Sequence, residues 1–538
     1  MLSESQFDRI GQALVSIAQR MEHSILTAVV EGLRAISPHA SNAAANLRGK
    51  GMKSRELRQR ASREAAYRRA KSRQRGIYQR TCRQAINTAR KEAAEAVPKE
   101  VDQIVREAHE GDKAYYRKAG QTPPSDDGLD EIIKDISGQT SEIMDTLLRS
   151  AAYRQPGGGY VKARDTFLRE VERATNEVLS GNKTFDRAAN EAVRGLAREG
   201  LKTVDYESGR VMQLDTAVRL NMQTAAAQAN GRVGLENVRK TGTNHVEVSR
   251  HWGARTDGSG GHADHQAWQG QVYMVDGSDA IYRNLTAATG YPGDLLGLFG
   301  YNCRHNMFPF WPGISTPNQW PDEPPPREYN GKTYTQTEAT DRQRALERQI
   351  RALKREALAC EAQGDKAAFS KIARRIKERE AEYKRFSEAM DIRAKVERCS
   401  VEGYNRSVAG KVTQAVKRSA RVEAINEAIS NSGNPKKLTG EPDERLKSTS
   451  PVDTPMLKGV VPKNANLTNV EVQAGNGTST PIRDLARLYA QYPEYDPQGW
   501  QKKSGKTQSD NHTYTIHWYE NNGFVPPEDV KTKGVRVR

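Results

Sequence analysis

Two short motifs bring metal-ligand chemistry into one stretch of the chain. His262-x-x-His265 and Cys303-x-His305 are separated by 37 residues. Together they offer three imidazoles and a thiol, donors suited to tetrahedral zinc. The spacing matches no common zinc module, so a second reading stands beside the first. In it, buried His, Cys and Trp brace a small fold whose structural core is Trp252, Trp268 and Trp311. A third reading makes Cys303 a nucleophile, its thiol acidified by Arg304 and His305. The neighbouring Gly258, Gly260 and Gly261 form no phosphate loop, because no Lys-Ser or Lys-Thr follows them. Asp257 and Asp264 fit turn chemistry better than acid–base work.

A second candidate set lies near the C-terminus: His512, His517, Tyr519 and Arg536. Alternation through Ile516-His517-Trp518-Tyr519-Glu520 puts His517 and Tyr519 on one strand face. A histidine base with cations to hold phosphate charge is the equipment of a metal-independent ribonuclease. The alternative is a small strand domain with a basic edge.

The third signal is charge. The chain has 84 Lys and Arg against 67 Asp and Glu, a formal excess of +17. Residues 48–91 hold sixteen of the basic residues against only Glu56 and Glu64. Alanine is plentiful there and proline absent, so the run predicts helix. Arg55, Arg58, Arg60, Arg63, Arg68, Arg69, Lys71, Arg73 and Arg75 are the candidate contacts to double-stranded DNA, bound without sequence preference. Tyr67 and Tyr78 could stack on bases. A solvated helix face is the other reading of the same residues.

These residues need elements to hold them. Phe7, Ile10, Leu14, Ile17, Met21 and Ile25 recur at helical spacing, predicting an amphipathic helix over 1–37 with Ser3 and Gln6 as a capping box. That stripe requires a partner helix. Pro123-Pro124 and Gly157-Gly158-Gly159 break the pattern, and 161–240 returns to helix. Residues 245–320 are rich in Gly, Pro and aromatics, predicting short strands at His245–Trp252 and Gln271–Val275. Residues 341–395 predict an antiparallel helical hairpin turned at Gly364-Asp365, its charged positions solvated as in a coiled-coil pair. Pro481–Tyr492 predicts a short helix, and His512–Glu520 and Val530–Val537 predict strands.

The expected fold class is mainly α, an elongated multi-domain chain. It comprises a basic helical arm (1–120), a helical domain (121–244), a compact Gly/His/Trp-rich α+β core (245–325), a hairpin (341–410), helix and linker (411–460), and a small α+β C-terminal domain (461–538). Apolar residues make up only 36%, which predicts a few small cores rather than a large one. Four scattered cysteines exclude a disulfide framework and fit a reducing cytosol. No apolar run reaches the roughly 20 residues of a membrane span, so no membrane partner is expected. A signal peptide is not expected.

Three stretches resemble a known family. They are Val204–Arg210 with Leu214–Arg219; Gly253–Gly270 with Asn302-Cys303-Arg304-His305 and Pro309–Gly313; and Gln343–Arg351 with Lys354-Arg355. They are similar to phage minor capsid proteins of the minor capsid 2 type, related to Mu-F head-morphogenesis proteins. The resemblance implies a structural, non-enzymatic virion protein, assembled in the host cytoplasm and lying inside the capsid or at its portal vertex. Its implied partners are portal protein, major capsid or scaffold protein and packaged DNA, with the chain an oligomer in the virion. The ending around His517 is also similar to tails that resemble barnase-like or EndoU-like toxin domains. That implies an alternative, a phage-borne effector with a C-terminal ribonuclease-like domain.

Overall fold

The computed structural model describes residues 1–45, 54–180, 182–204, 211–431, 467–478, 480–492, 495–496, 498–509, 512–523 and 531–537. Basic positions 48, 50 and 53, the motif residues Asp205–Arg210, positions 432–460 of the expected linker and 461–466 of the expected C-terminal domain lie outside them. The fold is 59% helical and 13% strand, mainly α as expected. The chain divides into two units, Met1–Val412 and Thr413–Arg538.

In the first unit, Ser3 and Gln6 form the expected capping box at the start of α1 (Glu4–Arg9). The expected single helix is broken at Gly11, which adopts φ +79° and brings the backbone against Met222. Its N–H donates to Glu100 Oε1 at 2.6 Å. Helix α2 (Gln12–Ala45) then buries Leu14, Ile17, Met21 and Ile25. Their partner is α3 (Ser54–Lys118), a 65-residue helix roughly 100 Å long at 1.5 Å per residue.

The two halves of α3 differ. From Ala89 onward, Ala93, Val97, Val101, Ile104, Val105 and Ala108 are buried at intervals of three and four. Before Tyr78 the helix is mostly exposed or half-buried. Helix α4 (Leu129–Arg149) packs Ile132, Ile136, Met144 and Leu148 on the buried half.

Short strands β1 (Ala151–Arg154), β2 (Tyr160–Lys162), β3 (Lys202–Val204) and β4 (Val211–Gln213) form an antiparallel sheet in the order β2-β1-β3-β4. The glycine run expected as a break is the β1–β2 turn. Between β2 and β3 lie α5 (Ala163–Leu179) and α6 (Phe185–Glu199). Helix α7 (Leu214–Lys240) is buried nearly all round. Its Ala225, Ala226, Ala227, Ala229, Gly231 and Gly234 let neighbours approach closely, and a Cβ on Gly231 would collide with Phe299.

These small residues explain a correction. One continuous core runs from Leu2 to Met307 and reaches Ala359, where low apolar content predicts several small ones. Alanine- and glycine-faced helices pack backbone to backbone, so fewer large side chains fill the volume.

Residues 245–320 hold β5 (His245–Val248), α8 (His265–Trp268), β6 (Val272–Met274), β7 (Arg283–Asn284), α9 (Leu285–Thr289) and β8 (Met307–Phe310). The sheet order is β7-β6-β5-β8. Hairpin β9 (Arg327–Tyr329) and β10 (Lys332–Tyr334) leads into α10 (Gln336–Gln363) and α11 (Lys366–Ala389), turned at Gly364 as expected. Leu346, Ile350, Tyr383, Phe386 and Met390 form their shared core. One flank of α10 is not solvated. Glu347, Arg351, Lys354, Arg355 and Glu356 are buried, because α10 also packs on α2 and α6. Helix α12 (Arg406–Asn431) follows.

The second unit holds β11 (Thr468–Gly475), α13 (Leu485–Gln491), β12 (Trp500–Ser509), β13 (His512–Asn521) and β14 (Lys531–Val537). The strands form an antiparallel meander in chain order. Ile482, Leu488, Tyr495, Trp500 and Tyr519 are among its core.

Candidate functional site

The expected zinc ligands separate into two groups. His265 opens α8, and Cys303 and His305 stand just before β8. All three are buried, at 3%, 3% and 0% exposure. Their ligand atoms lie within 4.8 Å of one another, with Cys303 Sγ 3.4 Å from His305 Nδ1. His262 does not join them. Its Nδ1 lies 3.1 Å from Asp294 Oδ2 and its Nε2 3.3 Å from the Ala287 carbonyl. Both ring nitrogens are thus engaged in a separate surface contact. His251, outside both motifs, brings its ring centroid to 4.2 Å from that of His305, tilted by 39°.

Burial sets the chemistry of the group. It pushes the His265 imidazole down to about 4, with Arg255 and His251 adding to the effect against the Leu296 carbonyl. It holds His305 well below the usual range, the neighbouring histidines adding to it. It raises the Cys303 thiol to about 11. The acidified thiol expected from Arg304 and His305 is therefore not realised: desolvation of the thiolate outweighs its neighbours.

The tryptophans also divide. Trp268 is 1% exposed and its indole N–H donates to the His262 carbonyl at 3.0 Å. Trp252 is 42% exposed and donates to the Pro321 carbonyl, so it does not pin the core. Trp311 is half-buried and meets Tyr116 of α3 edge-on at 5.5 Å.

The basic candidates lie on the exposed half of α3. Arg55, Arg58, Arg63, Arg68, Arg69, Arg73 and Arg75 are exposed; Arg60 and Lys71 are half-buried. Arg68 pairs with Glu64 at 2.6 Å and Lys71 lies 3.7 Å from Glu172. The two tyrosines are not base-stacking platforms. Tyr78 is buried against Phe167 and donates to the Ala163 carbonyl, and Tyr67 bonds Thr175.

Farther along α3, a groove of about 510 Å³ is lined by Arg83, Arg90, Arg149, Lys162 and Arg164, with Asp165. Arg90 and Arg149 share Asp145. The basic face thus passes from α3 onto the end of α4 and the start of α5. Sequence reasoning missed this extension because three separate elements supply it.

The strand register separates positions 512 and 517. Strand β13 pairs residue for residue with β12, so positions 512 and 517 have opposite parity and belong to opposite faces. Position 536 pairs with Thr513, four residues from His517. Tyr519 is buried and its hydroxyl lies 2.7 Å from Asp484 Oδ2.

Residues 2–388 match the family described as phage minor capsid protein 2. The chain belongs to that family. The matched span runs from the start of α1 nearly to the end of α11, and so includes the basic face and the His/Cys group. This minor capsid protein is accordingly a structural component of the phage virion, built to contact other virion proteins. No curated protein and no solved structure matches it. Among the described residues no helix is long and apolar enough to cross a membrane.

Proposed function

We propose that this minor capsid protein sits inside the head at the portal vertex and lays the exposed half of α3 on packaged double-stranded DNA, assisting head assembly and packaging. One observation carries the reading. Thirteen basic residues from Arg55 to Lys91 stand against two acids, and most of them point outward on a helix whose other half is anchored in the core. A segment with that imbalance attracts a polyanion, and phosphate contact needs only the charge. The groove cations Arg149, Lys162 and Arg164 widen the same face. Portal, scaffold or major capsid protein would bind elsewhere on the first unit. For the ribonuclease-like alternative, the strand register of His512 and His517 offers no support.

The test is duplex binding by fluorescence anisotropy over a salt series. Two duplexes of unrelated sequence are expected to bind equally. The logarithm of affinity should fall linearly with the logarithm of salt, by about 0.9 for each phosphate neutralised. A flat salt response, or no binding by folded protein, overturns the DNA role. Co-expression with portal, scaffold and major capsid protein, followed by purification, tests the placement. Retention by the portal is the expected result, and retention by the outer shell alone overturns it.

A further inference from the structure

We propose that His265, Cys303 and His305 hold a zinc ion. This site does not depend on the DNA reading. It leaves out His262 of the sequence motif, whose ring nitrogens meet Asp294 and the Ala287 carbonyl.

Hydrogen bonds fix which nitrogen of each ring faces the ion. His265 Nε2 lies 2.8 Å from the Leu296 carbonyl, a pure acceptor, so Nε2 carries the hydrogen and Nδ1 the lone pair. His305 Nε2 lies 3.1 Å from Gln269 Oε1. That oxygen also accepts the backbone N–H of His251 at 3.1 Å. Since a backbone N–H can only donate, the Gln269 amide is oriented with its oxygen inward. His305 is then protonated on Nε2 and directs its Nδ1 lone pair at Cys303 Sγ, 3.4 Å away. In both rings a carbonyl oxygen holds the far N–H, the outer-shell arrangement of zinc-binding histidines.

Distances allow the ion. Zinc bonds of about 2.0 Å to nitrogen and 2.3 Å to sulfur set ligand–ligand edges of roughly 3.3–3.8 Å in a tetrahedron. The Cys303–His305 edge already has that length, and the whole trio lies within 4.8 Å. Thiolate with imidazole and no carboxylate selects zinc over magnesium or calcium. Binding replaces the Cys303 S–H bond with an S–Zn bond and releases one proton to solvent. The ion would tie the loop before β8 to α8.

The experiment uses the full chain expressed with zinc supplied, desalted into metal-free buffer and assayed by plasma mass spectrometry. Close to one zinc per chain is expected in the wild type and in His262→Ala. Far less is expected in Cys303→Ser, His265→Ala and His305→Ala. Because those variants could misfold, wild-type protein is also loaded with cobalt(II). A thiolate-to-cobalt charge-transfer band is expected, retained in Cys360→Ser. Gln269→Leu should weaken metal affinity roughly 10- to 100-fold. Wild-type zinc well under a tenth of an equivalent, or cobalt without the thiolate band, overturns the site.

Discussion

Helices α3 and α10 both carry several arginines, and they handle that charge in opposite ways. The first half of α3 carries its arginines outward with two acids for company. Helix α10 turns Arg351, Lys354 and Arg355 inward and meets each with a carboxylate. Arg351 Nε lies 2.8 Å from Asp215 Oδ2 of α7, Lys354 Nζ 3.1 Å from Glu380 of α11, and Arg355 Nε 3.4 Å from Glu22 of α2. In Arg351–Asp215 the N–H is not aligned on the oxygen, so the contact is chiefly electrostatic. The guanidinium instead donates to the Arg398 carbonyl at 2.7 Å. Inward charges of this kind hold helices in register and are costly to orphan. Outward ones contribute little to folding and remain available to a partner. Composition counts both kinds alike; burial separates them.

Breaking the inward set should have the largest effect. Arg351→Ala leaves Asp215 buried without its main counter-charge and should cost about 3–5 kcal/mol in urea unfolding. A loss under about 1 kcal/mol would show that the pair is not a structural link. Asp215 also gives the network a pH signature. Burial by itself would raise its carboxyl, but Arg351 and Arg355 outweigh burial and hold it near 2, below its ordinary 3.8. The fold therefore favours the ionised form. That stability is complete above about pH 4 and is lost as pH falls toward 2. Asp215→Asn mimics the protonated group. It should be less stable than wild type by roughly 2 kcal/mol at neutral pH, with the gap closing between about pH 4 and pH 2. A gap that stays constant over that range would mean the carboxylate charge is not what matters.

Much of this was legible in the sequence, for identifiable reasons. The α10–α11 hairpin follows from apolar spacing and from Gly364, which the structure places at φ +73° as the helix cap. The capping box at Ser3 is local and is found where expected. The buried network was not legible. Glu22, Asp215 and Arg355 are far apart in the chain, and charged residues on helices are ordinarily solvated. His251 was hidden for the same reason. It reaches His305 through the β5–β8 pairing and through Gln269, and neither is a spacing. His262 had the spacing but lies across a turn, against Asp294.

An intermediate effect is expected at Gly200, which closes α6 beside the inward network. Its φ of 68° and ψ of 169° belong to a region that is essentially glycine's alone. A Cβ there would also meet the Arg355 guanidinium carbon at 2.9 Å and Glu22 Oε1 at 3.0 Å. Gly200→Ala should cost about 1–3 kcal/mol, measured by the urea midpoint. If Glu22→Gln is combined with it, the losses should be non-additive, because both act on one contact. Simple additivity would separate the glycine from the network.

The smallest effect on folding should come from the outward set, and its smallness is what makes it informative. Replacing Arg58, Arg63, Arg68, Arg69 and Arg73 with Gln removes five positive charges from an exposed face. Arg68 forms a surface pair with Glu64, worth little. Glutamine keeps helix propensity nearly unchanged. Each site should therefore shift stability by no more than about 0.5 kcal/mol. Relief of repulsion between arginines one helical turn apart could even raise the midpoint. Duplex affinity should instead drop steeply, and the salt slope should lessen by up to about 4 or 5 if each arginine meets a phosphate. A large loss of stability with an unchanged salt slope would reverse the comparison, making the α3 arginines part of the fold and leaving α3 without a polyanion to bind.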